Sequence, residues 1–135
     1  MMEPFIPKDL LKRRMAHKRI DEVDTPSARK GRRAEWTAWA HIKTLGGSVD
    51  INMNVIGPDL VWVRDGFRKT VEVKSAIRGP RYWYVTAVRK NRRRDDYVAI
   101  VLPDNRVVLE PMSEHLANCA PCGTRSVTKL VRSCQ

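Results

Sequence analysis

No apolar run in this 135-residue sequence approaches the ~18 residues that a membrane-crossing helix needs, so no span is expected. The opening stretch, MMEPFIPKDLLKRR, lacks the apolar core of a secretory leader, and the expected location is cytoplasmic. Cysteine is scarce. Cys119, Cys122 and Cys134 are late and odd in number, which argues against the disulfide framework of a secreted scaffold. Internal repeats and low-complexity segments are absent as well. The most informative shortage is of acid: 15 Asp and Glu stand against 26 Lys and Arg, a formal charge of +11.

Such an excess of positive charge favours a polyanionic partner, and nucleic acid is the commonest one for a compact basic chain. The cations cluster, at Lys12-Arg13-Arg14, Lys18-Arg19, Arg29-Lys30, Arg32-Arg33, Arg89-Lys90 and Arg92-Arg93-Arg94. A merely soluble basic surface is the plainer alternative. An acidic membrane surface fits less well, because no basic helix here carries a broad apolar face. Apolar residues make up 42% of the chain, enough for a folded core in one domain of this length.

Periodicity divides the chain. Lys8 to Val23 reads as a basic helix, and the turn DTPSARKGRR offers Ser27 as a cap for a second helix over Ala28 to Leu45. Gly46-Gly47 ends that helix. Beyond it the period shortens: SVDINM, DLVWV, KTVEVK, YWYVTAV, DYVAIVL and RVVLEP read as strands. Asp65-Gly66 marks one turn, and Pro103-Asp104-Asn105 joins the last two strands in a hairpin. SEHLANC reads as a short helix opened by Ser113, and SVTKLV as a final strand or helix. Helices followed by a run of strands and a further helix predict an α/β domain with a central mixed β-sheet flanked by helices.

One stretch, GPDLVWVRDGFRKTVEVKSA, places polar groups where apolar ones would be easier to bury. Alternate strand residues share a face, so Val71 and Val73 turn to the core while Glu72 and Lys74 point the other way. Asp59 begins the neighbouring strand of the hairpin, and its carboxylate can converge on Glu72. A solvent-facing edge strand would explain this pattern. So would a metal site, because two carboxylates a few ångströms apart repel unless a cation lies between them. Hard oxygen ligands suit Mg²⁺ or Mn²⁺. Lys74 would then orient an attacking water or balance charge on phosphate. Glu35 adds a third carboxylate, at helical spacing from Ala38, Trp39, Ile42 and Leu45 on the apolar face. Burying it unpaired costs several kcal/mol. The alternative leaves it half exposed and paired with Arg32 or Arg33.

Pro58-Asp59 followed by Glu72-Val73-Lys74, behind a helix bearing Glu35, resembles the PD-(D/E)xK signature of the restriction-endonuclease-like nuclease superfamily. Within it the likeness is to small phage and Holliday-junction-resolvase-like endonucleases, and it spans roughly Ala28 to Pro111. The resemblance implies a single nuclease domain over 1–135, with a basic N-terminal helix and linker (1–26), the core (27–111) and a C-terminal extension (112–135). It implies Mg²⁺-dependent hydrolysis of DNA, with Mn²⁺ able to substitute. Asp59, Glu72 and the Val73 carbonyl would hold the metal, Lys74 would position water, and Glu35 would assist directly or through water. Many resolvases carry a Gln shortly after the Lys; Ser75 stands here, so the substrate subfamily does not follow. A homodimer is expected, since two sites would cut two strands. The other readings are a structure-selective resolvase and a noncatalytic DNA-binding module on the same fold.

Other signals are weaker. Arg78 and Arg81 are expected at the backbone of the cut strand, Arg32 and Arg33 on the DNA-facing helix, and Arg92, Arg93 and Arg94 as nonspecific electrostatics. In RGPRYWYVTAVRKNRRR, Trp83 is expected under the sheet with Tyr82 and Tyr84 outward; Trp36 and Trp39 are expected in the core. His17 and His41 read as surface or core residues. His115, Cys119, Cys122 and Cys134 form an incomplete zinc pattern, and ordinary reduced thiols are the expectation.

Overall fold

The computed structural model describes residues 25–52, 57–120 and 123–127. The basic helix read over Lys8 to Val23 lies outside these residues, as do Cys122, Cys134 and most of SVTKLV. Helix α1 spans Pro26–Lys43 and buries Ala34, Ala38 and Ile42, one residue every four. Its cap is Thr25 rather than Ser27: the Thr25 hydroxyl accepts the Ala28 N–H at 3.1 Å. Pro26 explains the shift, because its fixed φ and missing N–H suit the first helical position. The helix stops at Lys43, two residues early. Gly46 and Gly47 follow at φ +96° and +84°, a conformation that L side chains rarely adopt.

Five strands form the main sheet in the order β1-β2-β3-β6-β7: β1 (Ser48–Ile51), β2 (Leu60–Arg64), β3 (Phe67–Ser75), β6 (Tyr97–Val101) and β7 (Val107–Pro111). β2 and β3 pair antiparallel around Asp65 and Gly66, both at positive φ as a tight hairpin turn demands. β6 and β7 form the second hairpin, while β3 and β6 run parallel and join the two. The sheet is therefore mixed.

A parallel pair needs a long crossover. Here it carries short strands rather than a helix: β4 (Ile77–Arg78) and β5 (Trp83–Val85), then a 3-10 turn over Lys90–Arg92. With β8 (Arg125–Ser126) these form a second, three-stranded sheet. YWYVTAV is thus a strand over only three residues, outside the main sheet. Helix α2 (Met112–Ala117) opens without the Ser113 cap, because the Asp96 carbonyl accepts the Met112 N–H at 2.9 Å.

Both faces of the main sheet are covered. Leu60, Trp62, Val71, Ala99 and Val101 pack with the buried face of α1. Val98 and Ile100 point to the other side and pack with Val85, Val88, Leu102, Met112 and Val127. Double coverage explains the unbroken apolar run of β6. Trp39 packs against the first core, its indole N–H donating to the Val49 carbonyl at 2.8 Å. Trp36 departs from the expected core position and is exposed. Trp83 packs under the second core, with Tyr82 exposed and Tyr84 half-buried. Among the described residues, no helix is long and apolar enough to cross a membrane.

Candidate active site

Asp59 precedes β2 by one residue, and the register Leu60↔Val71 sets it beside Glu72 on β3. Two backbone contacts hold it there. Its Oδ2 accepts the Val73 N–H at 2.8 Å, and its carbonyl accepts the Asn52 N–H at 3.0 Å. Gly57, at φ +114°, makes the approach: a Cβ there would lie 2.6 Å from Asn52 Nδ2. In a strand the N–H and C=O of one residue face the same side. The Val73 carbonyl therefore lies on the edge that Asp59 occupies, past the first residue of β2.

Val71 is fully buried on the helix side, so Glu72 and Lys74 emerge on the opposite face, as alternation requires. Lys74 Nζ donates to Thr86 Oγ1 at 3.1 Å, which fixes the ammonium. Glu35 arrives from α1. Asp59 lies between the other two carboxylates, within hydrogen-bonding reach of Glu35 and of Glu72. The structure thus brings Glu35, Asp59 and Glu72 together, with Lys74 two residues along the strand.

The electrostatics follow from this crowding. Burial, then the charge of Asp59 and a hydrogen bond to it, raise Glu35 from 4.5 to about 8, against the opposing pull of Arg32. Burial, then the charges of Asp59 and Asp95, raise Glu72 to about 8, with Arg92 opposing. Asp59 is also raised, by burial, although the Val73 N–H, the two glutamates and Arg92 act against it. Glu35 Oε2, Glu72 Oε2 and Asp95 Oδ2 are buried and have no hydrogen-bond partner. Buried carboxylate oxygens of this kind are costly unless a proton or a cation satisfies them.

These donors fit a hard divalent cation. Among the described residues, no three His, Cys, Asp or Glu side chains form a metal-ligand cluster. Mg²⁺, however, takes one or two protein carboxylates and keeps water in its remaining positions. Asp59 and Glu72, with the Val73 carbonyl on the same edge, match that smaller requirement, and the orphaned Glu72 oxygen is a donor of the right type.

The arginines separate by position. Arg92 is half-buried and its charge acts on Asp59, Glu72 and Asp95, which sets it apart from a nonspecific surface cation. Arg93 Nε donates to the Val88 carbonyl at 3.3 Å, whereas Arg94 is exposed. Arg78 stacks its guanidinium 5.2 Å from the Trp83 ring, and Arg81 is exposed in the β4–β5 turn. Arg32 stands close enough to lower Glu35, so the ion-pair alternative holds in part, but burial outweighs it. Arg33 is exposed. Sequence reasoning missed Asp95 and Thr86. Asp95 comes within range of Glu72 only because β6 pairs parallel to β3, and RRRDD carries no sign of that pairing.

The zinc pattern takes another form. His115 is fully buried, its Nδ1 3.1 Å from Glu110 Oε1 and 3.0 Å from Arg125 Nη1. Arg125 also hydrogen-bonds Glu110 directly. Burial opposes ionisation of Glu110, yet its His115 and Arg125 partners hold it below the usual glutamate range. Cys119 Sγ lies 3.7 Å from His115 Nε2, and burial pushes this thiol up. The cluster ties β7, α2 and β8 together.

A mixed five-stranded sheet with a helix packed on one face, and an acidic cluster beside a lysine on β3, define an α/β core of nuclease-like type. Among solved structures the chain is similar to a bacterial homing endonuclease, I-Ssp6803I, with a TM-score of 0.59 and 18% identity. The match covers 70% of this chain and 71% of that one. At that identity the likeness is one of fold. No family model matches the sequence, and no curated protein matches it.

Proposed function

We propose that the protein is a metal-dependent DNA endonuclease of the PD-(D/E)xK type. One observation carries this reading: Glu35, Asp59 and Glu72 converge in a partly desolvated cluster with orphaned oxygens, next to a lysine held by Thr86. Asp59, Glu72 and the Val73 carbonyl would hold Mg²⁺, with Mn²⁺ able to replace it. When bound, the ion would neutralise the carboxylates and act as a Lewis acid toward the scissile phosphate. Lys74 orients the attacking water and offsets charge that develops on the phosphate oxygens. Glu35 steadies Asp59 from the helix side. The net charge of +11 supports DNA as substrate, and the likeness to a homing endonuclease favours a nuclease over a noncatalytic binding module. A homodimer would supply one such site to each strand.

The test is cleavage of supercoiled plasmid, single-stranded, flap and four-way-junction DNA with Mg²⁺, Mn²⁺ or EDTA. Metal-dependent cutting is expected. Glu72→Gln and Asp59→Asn should each lower the rate by orders of magnitude while DNA affinity without metal stays level or rises. Lys74→Ala should abolish cleavage and leave metal binding intact. Cutting confined to four-way junctions would assign the resolvase reading. No metal-dependent cleavage of any form, or full activity in both carboxylate variants, would sink the proposal.

A further inference from the structure

A groove of about 1180 Å³ runs between α1 and the β6–β7 hairpin, on the side of α1 away from the carboxylates. Lys30, Arg33 and Trp36 of the helix line it, as do Ser75 and Ala76, the two residues after Lys74. No acidic residue lines it, although His41 and Arg106 add further basic groups. Trp36 is 54% exposed, an unusual position for an indole in the middle of a helix. Its ring meets Trp39 edge-to-face at 5.5 Å and 74°. Trp39 in turn is anchored by its bond to the Val49 carbonyl. Trp36 is therefore braced at its edge rather than laid flat on the protein. Little ordering would remain to be done if a flat ligand stacked on it.

We infer that this groove is a binding site for unpaired nucleotides, with Trp36 stacking a base and Lys30 and Arg33 meeting the phosphates. The inference rests on the endonuclease reading and deepens it, naming DNA with a single-stranded portion as the favoured substrate. Charge argues for this occupant. A second copy of a +11 chain would bring cations to a groove that already lacks acid, whereas a polynucleotide strand neutralises them. The aromatic argues for an unpaired strand, because bases inside a duplex already stack on one another and cannot offer a face to an indole without leaving the helix. Ser75 and Ala76 connect the groove to the strand that carries Lys74, so one strand can reach both.

The experiment measures anisotropy of a labelled 12-nucleotide oligothymidine and of a blunt duplex, in EDTA so that no cutting intervenes. Trp36→Ala should weaken oligothymidine binding about tenfold, the scale of one stacked base, and leave duplex affinity within about twofold. Trp36→Phe should recover most of the loss. Trp36 is exposed, and an unchanged melting curve would verify that the variant folds. Several outcomes overturn the inference: unchanged oligothymidine affinity, equal loss on both ligands, no oligothymidine binding by the wild type, or conversion of an oligomer to a monomer by Trp36→Ala. That last result would make the groove an interface between copies. Metal-dependent plasmid cleavage is read separately, so the groove can fail while the endonuclease reading stands.

Discussion

Glu35 and Glu72 share their environment with Asp59, and the three titrate as a group rather than singly. Both glutamates rise from 4.5 to about 8, so between those values the folded chain holds protons that the unfolded chain has released. Stability must then fall as pH rises from about 4.5 to about 8 and level off above. A cation that replaces those protons reverses the loss. Thermal melts should therefore show a Mg²⁺-induced gain that grows from pH 6 to pH 8.5. Glu72→Gln should melt higher than the wild type at pH 8.5 in EDTA and should lose most of the Mg²⁺ gain. A Mg²⁺ gain independent of pH would contradict the assignment. Arg92 and Asp95 belong at this scale too: neither is in the short motif, yet both act on Glu72.

Among the elements, the turn into β2 decides where Asp59 sits. Gly57 occupies a left-handed conformation at φ +114°, and the space for a side chain is taken by Asn52. Gly57→Ala should cost about 1–3 kcal/mol in chemical denaturation, since both strain and overlap act against it. Metal affinity should fall with it, because Asp59 is the residue displaced. A comparable Thr25→Ala loss of about 1 kcal/mol, from the cap of α1, should leave metal affinity nearly unchanged. Equal effects of the two substitutions on metal binding would show that the turn does not position the carboxylate.

For the whole molecule, the charge of +11 sets the dominant interaction with DNA. If about six phosphates are neutralised, log affinity should fall with log salt at a slope near −5, from roughly −0.9 per phosphate. Titration of duplex DNA with the Glu72→Gln variant at several NaCl concentrations measures it. Affinity that ignores salt would refute a phosphate-led interface. The second sheet and the Glu110–His115–Arg125 cluster close the far face over Val98 and Ile100. Glu72 and Lys74 emerge on that covered face, which is why Glu72 loses solvent.

Much of this was legible in local order. Period-two alternation in Thr70 to Lys74 determined that Glu72 and Lys74 share a face opposite Val71. Asp65-Gly66 determined the hairpin that brings Asp59 alongside, and the charge balance determined the class of partner. These are properties of neighbours in the chain, set by backbone geometry and composition. The parallel pairing of β3 with β6 was not legible, because it joins segments about twenty-five residues apart through an irregular crossover. That pairing carries Asp95 toward Glu72 and brings the hairpin of β6 and β7 beside α1. Trp36 shows the same limit: helical spacing could not tell which side of α1 the sheet would leave open. Only packing decided that, since the small residues Ala34 and Ala38 admit the sheet closely and leave the indole outside.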